Sequence, residues 1–137
     1  MRESTARKMG ATPIARVVAH AVHAQAPEWF ATAPAGAIQK VLQRSGWDAK
    51  SVNLWEVNEA FAAVTMAAMA EFKLPHEIVN VNGGAVALGH PIGATGALLT
   101  VKCMYELHRT QKRYGLVTMC IGGGQGIALV IENEAAK

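Results

Sequence analysis

The sequence alternates short apolar segments with longer ones in which apolar residues recur every three or four positions. This alternation constrains the fold most, because the two periodicities are those of strands and amphipathic helices. It predicts helices at residues 3–9, 35–45, 60–72 and 95–113, and strands at residues 14–22, 52–57, 78–81, 116–121 and 127–131. That order predicts an α/β fold, a mixed, mostly parallel five-stranded sheet with helices on both faces. The last strand is expected to run antiparallel to its predecessor.

Length and composition indicate a single globular domain over residues 1–137. The chain is 51% apolar and 17% charged, and no repeat or linker divides it. Its first ten residues are charged and lack the apolar segment of a signal peptide. No apolar run reaches the ~20 residues needed to cross a bilayer. We therefore expect a soluble protein without a membrane partner, located in the cytoplasm, with a mitochondrial or peroxisomal location left open.

Nucleic-acid and nucleotide binding both lack their sequence signatures. The basic run at residues 109–113 falls where a helix ends, and cations there complement the helix dipole. No nucleic-acid-binding motif accompanies the run, so we expect no nucleic-acid partner. Gly84 and Gly89 have the first spacing of a phosphate-binding loop, but His90 and Pro91 stand where that loop needs Lys followed by Ser or Thr.

The cysteines and histidines do not form a recognisable metal or disulfide pattern. Cys103 and Cys120 lack the spacing of a zinc or redox motif. His20 and His23 lie three apart in a predicted strand and would point to opposite faces. We therefore expect no metal site.

Three polar residues follow strands of the predicted sheet. Asn58 comes directly after the strand at 52–57, His90 lies in the glycine-rich loop after the strand at 78–81, and Cys120 is near the end of the next strand. Ligands of open α/β sheets gather beyond the carboxyl ends of parallel strands. These three side chains are therefore candidates for one common site.

Each of these residues also has a simpler explanation. Asn58 is a favourable helix N-cap residue. His90 can bond a loop carbonyl, with Pro91 opening the next helix. Cys120 in an apolar strand is by default a buried, inert thiol. None of the three identifies a site when taken alone.

The glycine run Gly122–Gly124 after Cys120 favours the functional interpretation. Successive glycines allow a ligand to approach the backbone closely and can turn N–H groups toward developing negative charge. A thiol beside such donors, with an imidazole in reach, suits removal of a proton next to a carbonyl or protonation of a leaving group.

Three longer segments carry a family resemblance: NEAFA at 58–62, GGAVALGHPIG at 83–93 and CIGGGQG at 120–126. In order and spacing they resemble the C-terminal signatures of thiolases, and residues 4–34 resemble the opening of the same half. The resemblance covers essentially the whole chain. It implies one half of the thiolase fold and CoA-thioester chemistry, either joining two acyl-CoA molecules or cleaving a 3-ketoacyl-CoA with CoA. Coenzyme A thioesters are then substrates, and no covalently bound cofactor is expected.

The resemblance also implies roles for matching positions. His90 would activate a nucleophilic cysteine and, with a water held by Asn58, stabilise the thioester oxyanion. Cys120 would be the acid/base that takes the α-proton of acetyl-CoA, and the Gly122 N–H would help bind the oxyanion of the acyl-enzyme. Thr95 stands where the family often has serine, a change expected to matter little.

One part of the family pattern has no match here. Thiolases carry the acyl-accepting cysteine in an N-terminal half, and Cys103, in the middle of a predicted helix, is no substitute. We therefore expect the nucleophile domain to be absent and the isolated chain to be inactive. The complete enzyme is expected to be a homo-oligomer. Two classes remain open: the C-terminal catalytic half of an acetyl-CoA C-acyltransferase, or a free-standing domain with a non-catalytic CoA-ester-binding or interaction role.

Overall fold

The computed structural model of this chain describes residues 1–136. Four strands and five α-helices follow one another along these residues. They are α1 (Glu3–Lys8), β1 (Arg16–Ala24), α2 (Ala33–Ser45), β2 (Leu54–Val57), α3 (Ala62–Phe72), α4 (Ala85–Leu88), α5 (Thr95–Thr110), β3 (Tyr114–Ile121) and β4 (Gln125–Glu132). Short 3-10 turns lie at Pro27–Thr32, Ala49–Ser51 and His76–Ile78. None of the described helices is long and apolar enough to cross a membrane.

The prediction of a mostly parallel sheet is wrong. The strands are ordered β1-β4-β3-β2, and only β2 and β3 pair in parallel. The cause is the position of β4, which turns back from β3 and lies between β3 and β1, pairing antiparallel with both. Strands β1, β2 and β3 nevertheless run in one direction, so their carboxyl ends meet at one edge of the sheet. The predicted antiparallel pairing of the last two strands is confirmed.

The predicted fifth strand, at residues 78–81, is also wrong. Only Val79 forms a β-bridge, to Trp55, and a 3-10 turn precedes it. Asn80 then adopts a positive φ of 48°, which ends extended structure. Its side chain continues the pairing instead, because Oδ1 accepts from the Val57 N–H at 2.8 Å and Nδ2 donates to the Val57 carbonyl at 2.9 Å. A single asparagine thus replaces the ladder of a strand.

Helices cover both faces of the sheet, as predicted. On one face α2 packs on β1 and β4, and Ala68 of α3 joins the same core as Trp55 and Leu116. On the other face α5 packs on β2 and β3 through Leu99, Cys103 and Leu107. Side chains alternate between the two faces along each strand. Trp55 and Val57 therefore face α2, whereas Leu54 lies in the α5 core and Glu56 bonds Lys102 of α5.

Candidate active site

The parallel pairing of β2 and β3 places Asn58 beside the strand that carries Cys120. The Asn58 N–H donates to the carbonyl of Thr118 at 2.9 Å, which extends the β2–β3 ladder by one bond past Val57. Asn58 is fully buried. Helix α3 begins four residues later, and its N-cap residue is Phe61. The interpretation of Asn58 as a helix cap is therefore wrong.

Asn58 and His90 are in direct contact. The Asn58 Nδ2 atom lies 3.4 Å from His90 Nε2, although the two residues are 32 positions apart in sequence. The other amide atom of Asn58, Oδ1, is buried without a hydrogen-bond partner among the described residues. A buried amide oxygen is costly to leave unpaired. It is therefore an open acceptor next to the imidazole, suited to a bound water or a polar substrate group.

Thr95 determines which ring nitrogen of His90 carries a proton. The Thr95 hydroxyl donates to the Pro91 carbonyl at 2.9 Å, and a hydroxyl has only one hydrogen to donate. We therefore infer that His90 Nδ1, 2.7 Å from the same oxygen, donates to it. In the neutral ring this leaves Nε2 unprotonated, with its lone pair facing the Asn58 amide. The imidazole thus presents a base at Nε2, and a serine hydroxyl at position 95 could do the same.

Cys120 lies near the carboxyl end of β3 and is 9% exposed. Burial raises the pKa of its thiol, which keeps the group protonated at neutral pH. No hydrogen bond joins the thiol to Asn58 or His90 within residues 1–136. The structure therefore brings the asparagine and histidine into contact and places the cysteine on the adjacent strand end.

The glycine run after Cys120 has a structural reason that the sequence did not reveal. Gly123 and Gly124 have φ of 90° and 82°, the left-handed region that glycine favours, because they form the tight turn between β3 and β4. A Cβ on Gly124 would lie 2.3 Å from the Gln25 carbonyl oxygen. Gly122 is different: its φ is not positive and a Cβ there would meet no atom within 4 Å. The turn therefore explains two of the three glycines and leaves Gly122 exposed and unconstrained.

Glu59 holds the other glycine-rich loop, and its role was not predicted from the sequence. Its carboxylate accepts from Asn80 Nδ2 at 3.0 Å and from the Val86 N–H at 2.9 Å. A Cβ on Gly84 would fall 2.1 Å from that carboxyl carbon. The glutamate and glycine of the NEAFA and GGAVALGHPIG segments therefore fit one another. Both residues lie within the motifs that contain Asn58 and His90, and this was the signal in the sequence that could have identified them.

Cys103 is placed as expected for a structural residue. It is fully buried in the middle of α5, and burial strongly raises the pKa of its thiol. A Cβ on Gly115 would lie 2.5 Å from its sulfur, so strand and helix are in close contact there. In the described part of the chain, no three His, Cys, Asp or Glu side chains are grouped to hold a metal ion.

Comparison with known proteins gives the class to which this fold and site belong. Residues 11–133 match the family described as thiolase, C-terminal domain. The chain is 47% identical to an acetyl-CoA acetyltransferase of Escherichia coli over 132 residues and 46% identical to one of Allochromatium vinosum. It is also 46% identical to a beta-ketothiolase of Cupriavidus necator. Each match covers 96% of this chain and 34% of the relative.

A solved structure agrees with these sequence relationships. The crystal structure of the Bacillus anthracis acetyl-CoA acetyltransferase superposes with a TM-score of 0.93 at 45% identity, again covering 96% of this chain and 34% of that one. The chain therefore belongs to the thiolase family and corresponds to its C-terminal domain. It spans about a third of the length of the relatives it matches.

Proposed function

We propose that this chain is the C-terminal catalytic part of an acetyl-CoA C-acyltransferase. In this proposal it condenses an acyl-CoA with acetyl-CoA or cleaves a 3-ketoacyl-CoA with CoA. The observation that carries the proposal is the contact of His90 Nε2 with Asn58, at the sheet edge where Cys120 also lies. An imidazole, an open amide oxygen and a thiol suit the proton-transfer and oxyanion-binding steps of thioester chemistry.

His90 and Asn58 act on the thioester carbonyl in this proposal. With Nδ1 donating to Thr95, the lone pair of Nε2 can exchange its 3.4 Å contact with Asn58 Nδ2 for the proton of an attacking thiol. Once protonated, it donates to the oxygen on which negative charge develops. The unpaired Oδ1 of Asn58 supports a bound water as a second donor, because such a water needs a fixed acceptor.

Cys120 moves a proton in this proposal and does not carry the acyl group. Its raised pKa keeps it protonated at neutral pH, as required of an acid that protonates a leaving thiolate. In the condensation direction, giving that proton to the CoA thiolate released on acylation leaves the Cys120 sulfur as the thiolate that then removes the α-proton of acetyl-CoA. Gly122 is exposed and lies two residues after Cys120, and in this proposal its N–H donates to the acyl oxygen.

The acyl-accepting cysteine belongs to an N-terminal half in this proposal. This chain covers 34% of each relative, so most of each relative lies outside the matched region. That additional length supports an N-terminal half in the complete enzyme. Residues 1–137 form one domain, the complete enzyme is a cytoplasmic homo-oligomer, and the 137 residues alone do not turn over acetoacetyl-CoA. No bound cofactor is needed, because CoA thioesters are the substrates.

A chimera tests the proposal. The C-terminal region of the Escherichia coli relative is replaced by this chain, and thiolysis of acetoacetyl-CoA is measured. We expect activity that His90→Ala lowers by at least about 10²-fold, the scale of a lost acid/base group. The matched control is His108→Ala, which changes an exposed histidine of α5 and should have little effect. A folded chimera without activity would contradict the proposal and favour a non-catalytic, CoA-ester-binding or interaction role.

A further inference from the structure

One face of α5 contacts the glycine-rich loop at its start and again at His90. We define the glycine loop as residues 82–93, which begin at Asn82 and include His90. At its start, Asn82 Nδ2 donates to Glu106 Oε2 at 3.0 Å, and Lys102 Nζ donates to the Gly83 carbonyl. At its end, His90 donates to Thr95. Spacings of seven and four residues put the three helix side chains on one face of α5.

Lys102 makes a second contact, with the strand that leads to Asn58. Its Nζ lies 2.9 Å from Glu56 Oε2, and Glu56 is fully buried on β2, two residues before Asn58. The second carboxylate oxygen of Glu56 has no partner within residues 1–136, and burial raises the pKa of the group. Removing one partner of a buried ion pair is strongly destabilising, because it leaves an uncompensated charge. Breaking this buried pair should therefore cost more stability than breaking an exposed ion pair such as Arg7–Glu3.

We propose that Lys102 is a positioning residue, which holds His90 against Asn58 by binding both the glycine loop and strand β2. The lysine is the one point in the described residues where the carbonyl of Gly83 and the carboxylate of Glu56 meet a common cation. His90 and Asn58 are carried by the same two segments. Fixing Gly83 relative to β2 therefore restrains the segment that leads to His90, together with the bonds that Glu59 makes to Asn80 and Val86. Its importance for catalysis rests on the function proposed above, but the positioning itself does not.

Hydrogen exchange and NMR of the 137-residue chain test the positioning. In Lys102→Met, the amides of the glycine loop should exchange at least about tenfold faster relative to those of β4, since a charge-assisted anchor is lost. The imidazole resonances of His90 should shift at the same time. The control is Lys112→Met, which removes an exposed lysine just after α5 and should change neither. Unchanged loop exchange in a folded Lys102→Met chain overturns the proposal, and so does equal acceleration in loop and sheet.

A second variant covers the case in which Lys102→Met does not fold because Glu56 is left unpaired. The double variant Glu56→Gln/Lys102→Met removes both charges and should therefore fold. Its glycine-loop amides should still exchange faster than those of the wild type. Failure of the double variant to fold overturns the proposal, since the pair would then be required for the whole domain. In the chimera, Lys102→Met should lower kcat with little change in KM. An inactive wild-type chimera with loop exchange that responds to Lys102→Met would contradict the proposed function alone.

Discussion

The hydroxyl of Thr95 accepts a hydrogen bond of 2.7 Å from His90 Nδ1 because its own hydrogen is donated to the Pro91 carbonyl. This relay assigns the neutral imidazole the Nδ1–H tautomer. It leaves Nε2 as the nitrogen that faces Asn58. A threonine buried at the start of α5 thus decides which atom of the histidine is available for chemistry.

Removing the Thr95 hydroxyl should reduce the preference of His90 for the Nδ1–H tautomer. In Thr95→Val, which keeps the shape of the side chain, His90 loses its Nδ1 acceptor, and the Nε2–H form should become populated. Thr95→Ser retains the hydroxyl and should keep the wild-type tautomer. Nitrogen NMR of the imidazole distinguishes the two forms directly. Identical His90 ring spectra for the valine and serine variants would show that the hydroxyl does not set the tautomer.

The burial of Cys103 predicts a pH dependence of stability. Its pKa is raised on folding, so the folded chain holds the thiol proton where the unfolded chain releases it. The stabilisation is therefore complete below the ordinary thiol pKa of about 8.5 and declines above it, by up to about 1.4 kcal/mol per pH unit. Urea unfolding of the wild type and Cys103→Ala at rising pH measures this. The stability advantage of the wild type should shrink between about pH 9 and pH 11, beyond the ordinary thiol pKa; a constant difference would contradict the assignment.

Exposed apolar side chains near the site predict self-association of the isolated chain. Phe61, Val86 and Ile92 are 64%, 74% and 83% exposed, and all belong to the segments that carry Asn58 and His90. Such surface is typically covered by a partner. Sedimentation should show concentration-dependent association that Ile92→Ser weakens. Met9→Ser, at a 68% exposed residue just after α1, serves as the control. A clean monomer at high concentration would contradict this prediction.

The sequence predicted the three long helices, and the proximity of Asn58 to His90, better than the strand pairing. Residue periodicity reports burial, and it located α2, α3 and α5 to within a few residues. It does not report which strand lies next to which, so the position of β4 between β1 and β3 was missed. The apolar segment at 78–81 was taken for a strand because periodicity cannot show that an asparagine side chain replaces backbone pairing.

The sequence also did not show which charged residues are buried. Lys102 and Glu106 stand at helical spacing on the polar side of α5, which by periodicity alone is a solvent-facing surface. In the structure Glu106 is 7% exposed and Lys102 pairs with the fully buried Glu56. Glu56 is 46 residues from Lys102, and Asn82 is 24 residues from Glu106, so no local pattern could identify these two contacts.

The central claim is that Cys120 transfers a proton while a cysteine of an N-terminal half carries the acyl group. The most direct measurement follows labelled acetyl-CoA in the chimera. Cys120→Ala should still become acetylated on the partner half's cysteine, yet lose formation of acetoacetyl-CoA by about 10²–10⁴-fold, the range for a missing acid/base group. Cys103→Ala should retain both steps. If peptide mass spectrometry of the unsubstituted chimera finds the acetyl group on Cys120 itself, the account is contradicted.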